Sequence, residues 1–229
     1  MRITHLWRYP VKSLAGEALT STQLARGGIP FDRSFMLVDG LESRKGKPLT
    51  ARQVPRMLAF QAHADSGKVT VTGPDGSVCG AGENLAAELA STFDRAISIQ
   101  SVVPGSAPFF DAHELLVVNA ASVRALASDM GAPVNVLRFR PNIVLDGDDA
   151  VAFTENDWVG RTFSLGDAKI EIVKHDIRCI FTNIDPETFE VDSSFLKSLV
   201  DRHDLCFGVY ASVRAPGRVA LGDEWREQT

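Results

Sequence analysis

Short apolar segments that alternate with polar residues and stop at turn dipeptides constrain this chain more than any other feature. Ile3 to Tyr9 alternates until Pro10 interrupts it, and Ser34 to Val38 is apolar and runs into Asp39-Gly40. Lys68 to Thr72 alternates strictly and ends at Gly73-Pro74-Asp75-Gly76. A period of two places alternate side chains on opposite faces of a strand. Turn residues at such short spacing break a chain into many brief strands, as in a small barrel or sandwich.

Helical signals are fewer. Glu83 to Ser91 holds good helix formers, and Ala121 to Met130 has helical spacing and stops at Gly131. Asp192 to Asp201 carries Phe195, Leu196 and Leu199 on one face, with Asp192 and Ser193 available as caps. Leu115–Val118, Ile143–Leu145, Thr162–Leu165, Ile170–Val173 and Phe207–Val213 read as further strands. A Pro/Gly-rich connection from Val102 to Phe110, including Pro104, Gly105 and Pro108, separates two lobes of 1–105 and 106–229. The expected class is mainly β (α+β), with two strand-rich lobes and a few flanking helices.

No apolar run approaches the roughly 20 residues of a membrane-spanning helix, and the N-terminal residues read as a strand without a signal-peptide core. Three separated cysteines, Cys79, Cys179 and Cys206, give no CxxC pair and no disulfide framework, so a reducing, cytoplasmic location is expected. The net charge of −5 argues against non-specific nucleic-acid binding. The charge is uneven, however. Residues 1–56 hold ten Lys/Arg against four Asp/Glu, leaving fourteen against twenty-five for the remainder. A basic segment in an acidic protein suits a confined anion such as a phosphate, or else a solvated basic face.

Three groups of residues point to chemistry. Cys179 follows Arg178 directly, with Thr182 three residues on. A thiolate is a nucleophile and a soft metal ligand, and nearby positive charge stabilises it. Adjacent strand residues face opposite ways, so a different arginine is expected to supply that charge. A buried, inert cysteine is the competing reading. His175 lies four residues upstream, while His5, His63 and His203 read as structural or exposed. Alternation along a strand would send Arg138, Arg140 and Asn142 to one face, where guanidinium forks suit phosphate or oxo groups. Lys12 and Ser13, after Pro10, form a turn that offers an ammonium, a hydroxyl and backbone donors. The glycines and GK[ST] order of a P-loop are missing. Asp32 beside Arg33 reads as a structural ion pair.

Together these motifs resemble the MOSC family, named for the C-terminal domain of molybdenum cofactor sulfurases. Tyr9-Pro-Val-Lys-Ser13, Gly28-Ile-Pro-Phe-Asp-Arg33 and Thr50-Ala-Arg-Gln-Val-Pro-Arg56 resemble the N-terminal β-barrel domain that precedes MOSC. Arg138-Phe-Arg-Pro-Asn-Ile-Val144, Phe153-Thr-Glu-Asn-Asp-Trp158, Arg178-Cys179 and Thr182-Asn-Ile-Asp-Pro186 resemble the MOSC domain itself, a second β-barrel. The layout is similar to the hydroxylaminopurine-resistance proteins and amidoxime-reducing components of that family. The resemblance implies a molybdenum cofactor, with molybdenum on a molybdopterin dithiolene and Cys179 as the protein's metal ligand. It implies Lys12, Ser13, Arg33 and Arg52 at the cofactor phosphate, and Arg140 and Asn142 at the pterin or the oxo ligands. Thr182 would line the site and Asp111 would lie near the metal, while His113 stands where the family often has a small hydroxyl residue.

The implied reaction is reduction of small N-hydroxylated compounds, namely hydroxylamines, amidoximes and N-oxides. These residues hold no plant-type ferredoxin cysteine spacing and no PLP-dependent desulfurase domain. Electrons are therefore expected from a separate ferredoxin- or flavoprotein-type partner. A non-catalytic carrier, holding the cofactor or a persulfide sulfur on Cys179, is the alternative. A metal-free cysteine hydrolase lacks a readable base–orienter pair.

Overall fold

A computed structural model describes residues 1–103 and 105–228; Pro104 of the expected connection lies outside the described residues. Fifteen strands and three α-helices follow one another along the described chain. They are β1 (Arg2–Arg8), β2 (Glu17–Leu19), β3 (Ser21–Leu24), β4 (Phe35–Asp39), β5 (Gln61–Asp65), β6 (Lys68–Thr72) and β7 (Val78–Gly80). Helix α1 (Glu83–Phe93) leads to β8 (Ile97–Ser101), β9 (Leu115–Asn119) and α2 (Ala120–Met130). Strands β10 (Ile143–Asp146), β11 (Thr162–Leu165) and β12 (Ala168–Ile177) precede α3 (Ser194–His203). The chain finishes with β13 (Cys206–Ala215), β14 (Gly217–Ala220) and β15 (Trp225–Glu227). The strand-rich, two-lobed class expected from alternation and turn spacing is the one observed.

Eight strands form one sheet in the order β15-β11-β12-β13-β9-β10-β1-β2. All its pairings are antiparallel except β9 with β10, which α2 connects. The sheet curls until β1 meets the segment that leads into β15. Ile3 N donates to Asp223 O (3.0 Å), Gly222 N to Ile3 O (2.8 Å) and Trp225 N to Met1 O (3.1 Å). Closure satisfies edge groups that would otherwise be free to pair with another chain. Its inner face buries Ile3, Leu6, Leu145, Ile170, Ile172 and Val209 around the rings of Trp158, Phe163 and Trp225. β1 and β2 thus lie in a sheet built mainly by the second half of the chain.

The smaller sheets β4-β8 and β5-β6-β7, with α1, enclose a second core of Leu14, Leu37, Leu49, Met57, Phe60 and Leu85. Phe181 and Ile184 from the segment after β12 are buried in the same core. Cys179 is thereby tethered on one side to the N-terminal lobe and on the other to the large sheet. A third core, with Phe139 stacked on Phe207 at 4.0 Å, lies between the large sheet and α2 and α3.

The helix ends follow from local chemistry. Asn119 Oδ1 accepts from Ala121 N (3.0 Å) at the start of α2, and Gly131 closes that helix with φ 66°. At α3, Ser193 occupies the N-cap position but its side chain makes no capping bond. Asp192 Oδ1 accepts from Ser194 N (2.9 Å), and Asn183 Oδ1, from the Cys179 segment, accepts from Leu196 N (2.9 Å).

Glu155 is fully buried beside α2. Its Oε2 accepts from Asn119 Nδ2 (3.1 Å) and Ser122 Oγ (2.9 Å), while Oε1 has no partner. Burial raises the carboxyl above its ordinary range despite the bond from Ser122. A carboxyl with a raised folded value is most favourable below its unfolded value, about 4.3. Its contribution is lost as pH climbs through the folded value. The melting temperature of Glu155→Gln, which cannot ionise, should therefore gain on that of the parent protein as pH rises from 5 to 8. A constant difference across that range would show that Glu155 does not titrate between the two states.

Candidate functional site

One cavity, about 180 Å³ in volume, opens between the two lobes and has Cys179 in its wall. Its floor is set by a buried polar network. Asp32, 1% exposed, accepts from Tyr9 N (2.7 Å), from Asn142 Nδ2 (3.1 Å) and from the Arg33 guanidinium. Asn142 Oδ1 in turn accepts from Leu116 N (3.1 Å) and Arg33 Nη1 (3.3 Å). The expected Asp32–Arg33 ion pair is therefore present, and it also fixes how Arg33 faces the cavity.

Three non-glycine residues of the wall hold left-handed backbone: Ser13 (φ 67°), Arg33 (φ 48°) and Arg140 (φ 56°). Such conformations cost about 1 kcal/mol or more each and persist where surrounding contacts enforce them. Here each one re-aims a polar side chain at the cavity. For Arg140 this corrects the sequence reading. Residues 136–139 form a 3-10 turn, and β10 begins only at Ile143, so Arg138, Arg140 and Asn142 do not share one strand face. Arg138 points the other way. It is buried under the Phe195 ring at 3.8 Å, donates to Thr182 O (3.3 Å) and Asn183 O (3.1 Å), and pairs with Asp185 at 2.6 Å. It braces the segment after Cys179 from behind.

Cations dominate what remains. Lys12, Arg33, Arg52, Arg140 and Arg178 line the cavity against only Asp111 and Asp176. Arg140 Nη1 donates to Leu14 O (2.8 Å), its guanidinium lies 4.2 Å over the Tyr9 ring, and its buried Nη2 has no partner. Burial pushes this guanidinium down to about 10, with Tyr9 opposing the shift. A buried, unpaired N–H of a charged group is costly, and it leaves Arg140 short of one partner at the edge of the cavity. Arg178 pairs with Asp176 and donates to Phe139 O (3.0 Å). Asp176 was not expected from the sequence; burial raises its carboxyl, opposed by Arg178. Its position inside β12 gave no signal, because an acidic residue within a strand is ordinarily read as solvent-facing.

Cys179 Sγ accepts from Arg52 Nη2 (3.2 Å) and Nε (3.4 Å). The charge beside the sulfur thus comes from Arg52, 127 residues earlier, rather than from Arg178. Arg52 Nη2 also donates to Asp111 Oδ2 (3.1 Å), and Asp111 pairs with Lys12, whose Nζ reaches Phe109 O (2.9 Å). Burial would raise the Asp111 carboxyl, but Lys12 and Arg52 outweigh it and hold the group below the usual range. Thr182 does not line the cavity. It is fully buried, and its hydroxyl donates to Cys179 O (2.9 Å), stiffening the turn that carries the thiol. His175 lies apart, with Nε2 against Asn156 O (2.8 Å), whereas His113 does line the wall.

The fold and site define a two-lobed β protein with a cation-lined pocket around a single cysteine. The MOSC domain family matches residues 104–226, the MOSC N-terminal beta barrel domain matches residues 1–129, and the chain belongs to the MOSC family. It is similar to mitochondrial amidoxime-reducing component 1 of Mus musculus, at 24% identity over 96% of this chain and 80% of that protein. It is likewise similar to mitochondrial amidoxime reducing component 2 of Homo sapiens, at 25% identity over 96% and 82%. The crystal structure of the YUAD protein from Bacillus subtilis shares the fold, with a TM-score of 0.54 and 15% identity over 98% of this chain and 93% of that one.

The charge pattern makes a direct prediction. With inorganic pyrophosphate as probe, calorimetry should show Lys12→Ala and Arg140→Met each weakening binding about tenfold, the scale of a lost charge-assisted hydrogen bond. Asp111→Asn, which frees Lys12 and Arg52, should bind more tightly than the parent. Equal affinity in all four proteins would remove the anion reading of the cavity.

Proposed function

We propose that this chain is a molybdenum-cofactor-dependent oxidoreductase that reduces small N-hydroxylated compounds, with Cys179 as the protein's metal ligand. The observation that carries this reading is the union of a lone thiol with an orphaned guanidinium N–H in one cationic pocket. Among the described residues, no three His, Cys, Asp or Glu side chains gather into a cage for a bare ion. The pocket instead suits a metal that arrives within an anionic cofactor and needs one soft ligand from the protein. The donor set fits such a group, and the relatives named as amidoxime-reducing components support the substrate class.

Lys12, Ser13 and Arg33 would hold the cofactor phosphate, Arg52 would stay beside the thiol that binds the metal, and Arg140 would contact the pterin or the oxo ligands. Asn142, whose amide is fully used by Arg33, Leu116 N, Trp7 O and Asp32, would fix Arg33 from below rather than touch the cofactor. The cofactor, when bound, supplies two-electron oxygen-atom chemistry at its molybdenum. Thr182 and Arg138 act through the backbone, keeping the Cys179 turn in place. Asp111, held ionised by Lys12 and Arg52, acts at neutral pH as an acceptor that orients substrate N–H or O–H rather than as an acid. The overall change consumes two electrons and two protons: the N–O bond breaks, its oxygen leaves as water and nitrogen gains hydrogen. The electrons would come from a separate ferredoxin- or flavoprotein-type donor. The three unpaired cysteines fit a reducing compartment, for which we propose the cytoplasm. No helix among the described residues is long and apolar enough to cross a membrane.

Cys179 Sγ is hydrogen-bonded by Arg52 and by no histidine among the described residues, which leaves a cysteine hydrolase without its base. A persulfide carrier would use the same thiol. Protein produced in a cofactor-competent host should contain about one molybdenum per chain, and Cys179→Ala should reduce hydroxylamine turnover to background. Retained turnover in that variant would overturn the reading. A reducible adduct of roughly 32 Da without molybdenum would instead establish the carrier.

A further inference from the structure

Arg52 and Cys179 come from different lobes, yet the turns that carry them are anchored in one core. Leu49 and Ala51, fully buried beside Arg52, pack in the N-terminal core with Phe181 and Ile184, which follow Cys179. The Arg52 turn is closed by its own hydrogen bonds. Gln53 N donates to Thr50 O (2.9 Å), and Gln53 Oε1 accepts from Thr50 N (3.1 Å) and Thr50 Oγ1 (2.9 Å). The Cys179 turn is closed by Thr182, whose hydroxyl and backbone N donate to Cys179 O (2.9 and 3.1 Å). Packing of a shared core thus holds the arginine turn against the cysteine turn.

The guanidinium meets the sulfur as a fork. Nε and Nη2 both donate to Cys179 Sγ (3.4 and 3.2 Å), and Nη2 also donates to Asp111 Oδ2 (3.1 Å). The Arg52 side chain keeps 28% of its surface exposed, so water screens the contact only in part. Hydrogen bonds and charge at a ligating sulfur are levers by which a protein sets the potential of the metal. A donor and a positive charge there stabilise the electron-rich, reduced state and raise the potential. A carboxylate beside them acts in the opposite sense. Asp111 is that carboxylate, and Lys12 holds its other oxygen.

We propose that Arg52 is a positioning residue that raises the reduction potential of the metal held by Cys179, with Asp111 as its counterweight. Arg52 acts through the sulfur rather than on the substrate. Two electrons from the separate donor enter the metal, and no bond to Arg52 forms or breaks. The guanidinium makes the centre easier to reduce, and the carboxylate keeps that shift moderate. This inference rests on the oxidoreductase reading and assigns the residue pair that tunes it.

The test is a potentiometric titration, with dithionite and mediator dyes, of the molybdenum-loaded parent, Arg52→Met, Arg52→Lys and Asp111→Asn proteins. Arg52→Met loses the charge and both donors. It should lower the equilibrium constant for two-electron reduction about tenfold, the scale of a charge-assisted hydrogen bond, which is a fall of about 30 mV. Arg52→Lys keeps the charge without the fork and should fall between Arg52→Met and the parent. Asp111→Asn should move the midpoint upward, because the guanidinium loses its counter-charge. Opposite signs in neighbouring variants are a signature that a purely structural role does not produce. An unchanged midpoint in a loaded Arg52 variant, or shifts of the same sign at Arg52 and Asp111, would overturn the assignment. Failure of both Arg52 variants to hold molybdenum would overturn it in favour of a binding role. A parent protein without molybdenum would refute the oxidoreductase reading and this inference with it. A parent that holds molybdenum but does not turn over hydroxylamine would refute the substrate class alone, and the midpoints would still decide the role of Arg52.

Discussion

The carboxylate of Asp32 is the interaction on which the rest of this structure depends. It is buried at the junction of the lobes and accepts from the backbone of Tyr9, the carboxamide of Asn142 and the guanidinium of Arg33. Those donors come from the end of β1, the loop after β3 and the entrance to β10, so one side chain fixes three separated segments. An ion buried this deeply is tolerated only when its lone pairs are occupied, and removing a single donor leaves the others facing an uncompensated charge. Tyr9 Oη, bonded to Pro141 O at 3.1 Å, and Asn142 Nδ2, bonded to Trp7 O at 3.2 Å, extend the network across the same seam.

That network explains how the pocket keeps so many like charges close together. Arg33 is held by Asp32 and Arg140 lies over the Tyr9 ring. Arg178 is matched by Asp176, and Lys12 and Arg52 share Asp111. Each cation has a local partner, yet five of them face one small cavity and Arg140 retains an unmatched N–H. The cations are held in place by these contacts, so an anion entering the cavity would meet them with little rearrangement. The left-handed residues Ser13, Arg33 and Arg140 are part of that preparation. They hold strain in place through the packing of the lobes rather than through their own preferences.

Much of the architecture was legible in the sequence. The strict alternation of Lys68–Thr72 became β6, and the helical spacing before Gly131 became α2 with that glycine as its left-handed cap. The readings that failed share a cause. Strand alternation would put Arg138, Arg140 and Asn142 on one face, but a 3-10 turn and a left-handed Arg140 break the period there. Thr182 was placed in the wall, yet a hydroxyl three residues after Cys179 returns to that residue's own carbonyl once the chain turns. Spacing along the chain reports faces only while the backbone stays regular, and functional sites are where it does not.

By itself the sequence determined the strand-rich class, the basic bias of residues 1–56, the motif set of the MOSC family and the identity of the one thiol worth following. Only the tertiary structure decided which arginine meets that thiol, since Arg52 and Cys179 lie 127 residues apart and no local pattern links them. It also decided that Arg138 braces the site from behind, and that Asp176 and Ile177 reach the wall at the irregular end of β12. Local patterns fix which segments form. The convergence of charges on one cavity comes from long-range packing and desolvation, which depend on where segments meet rather than on their order in the chain.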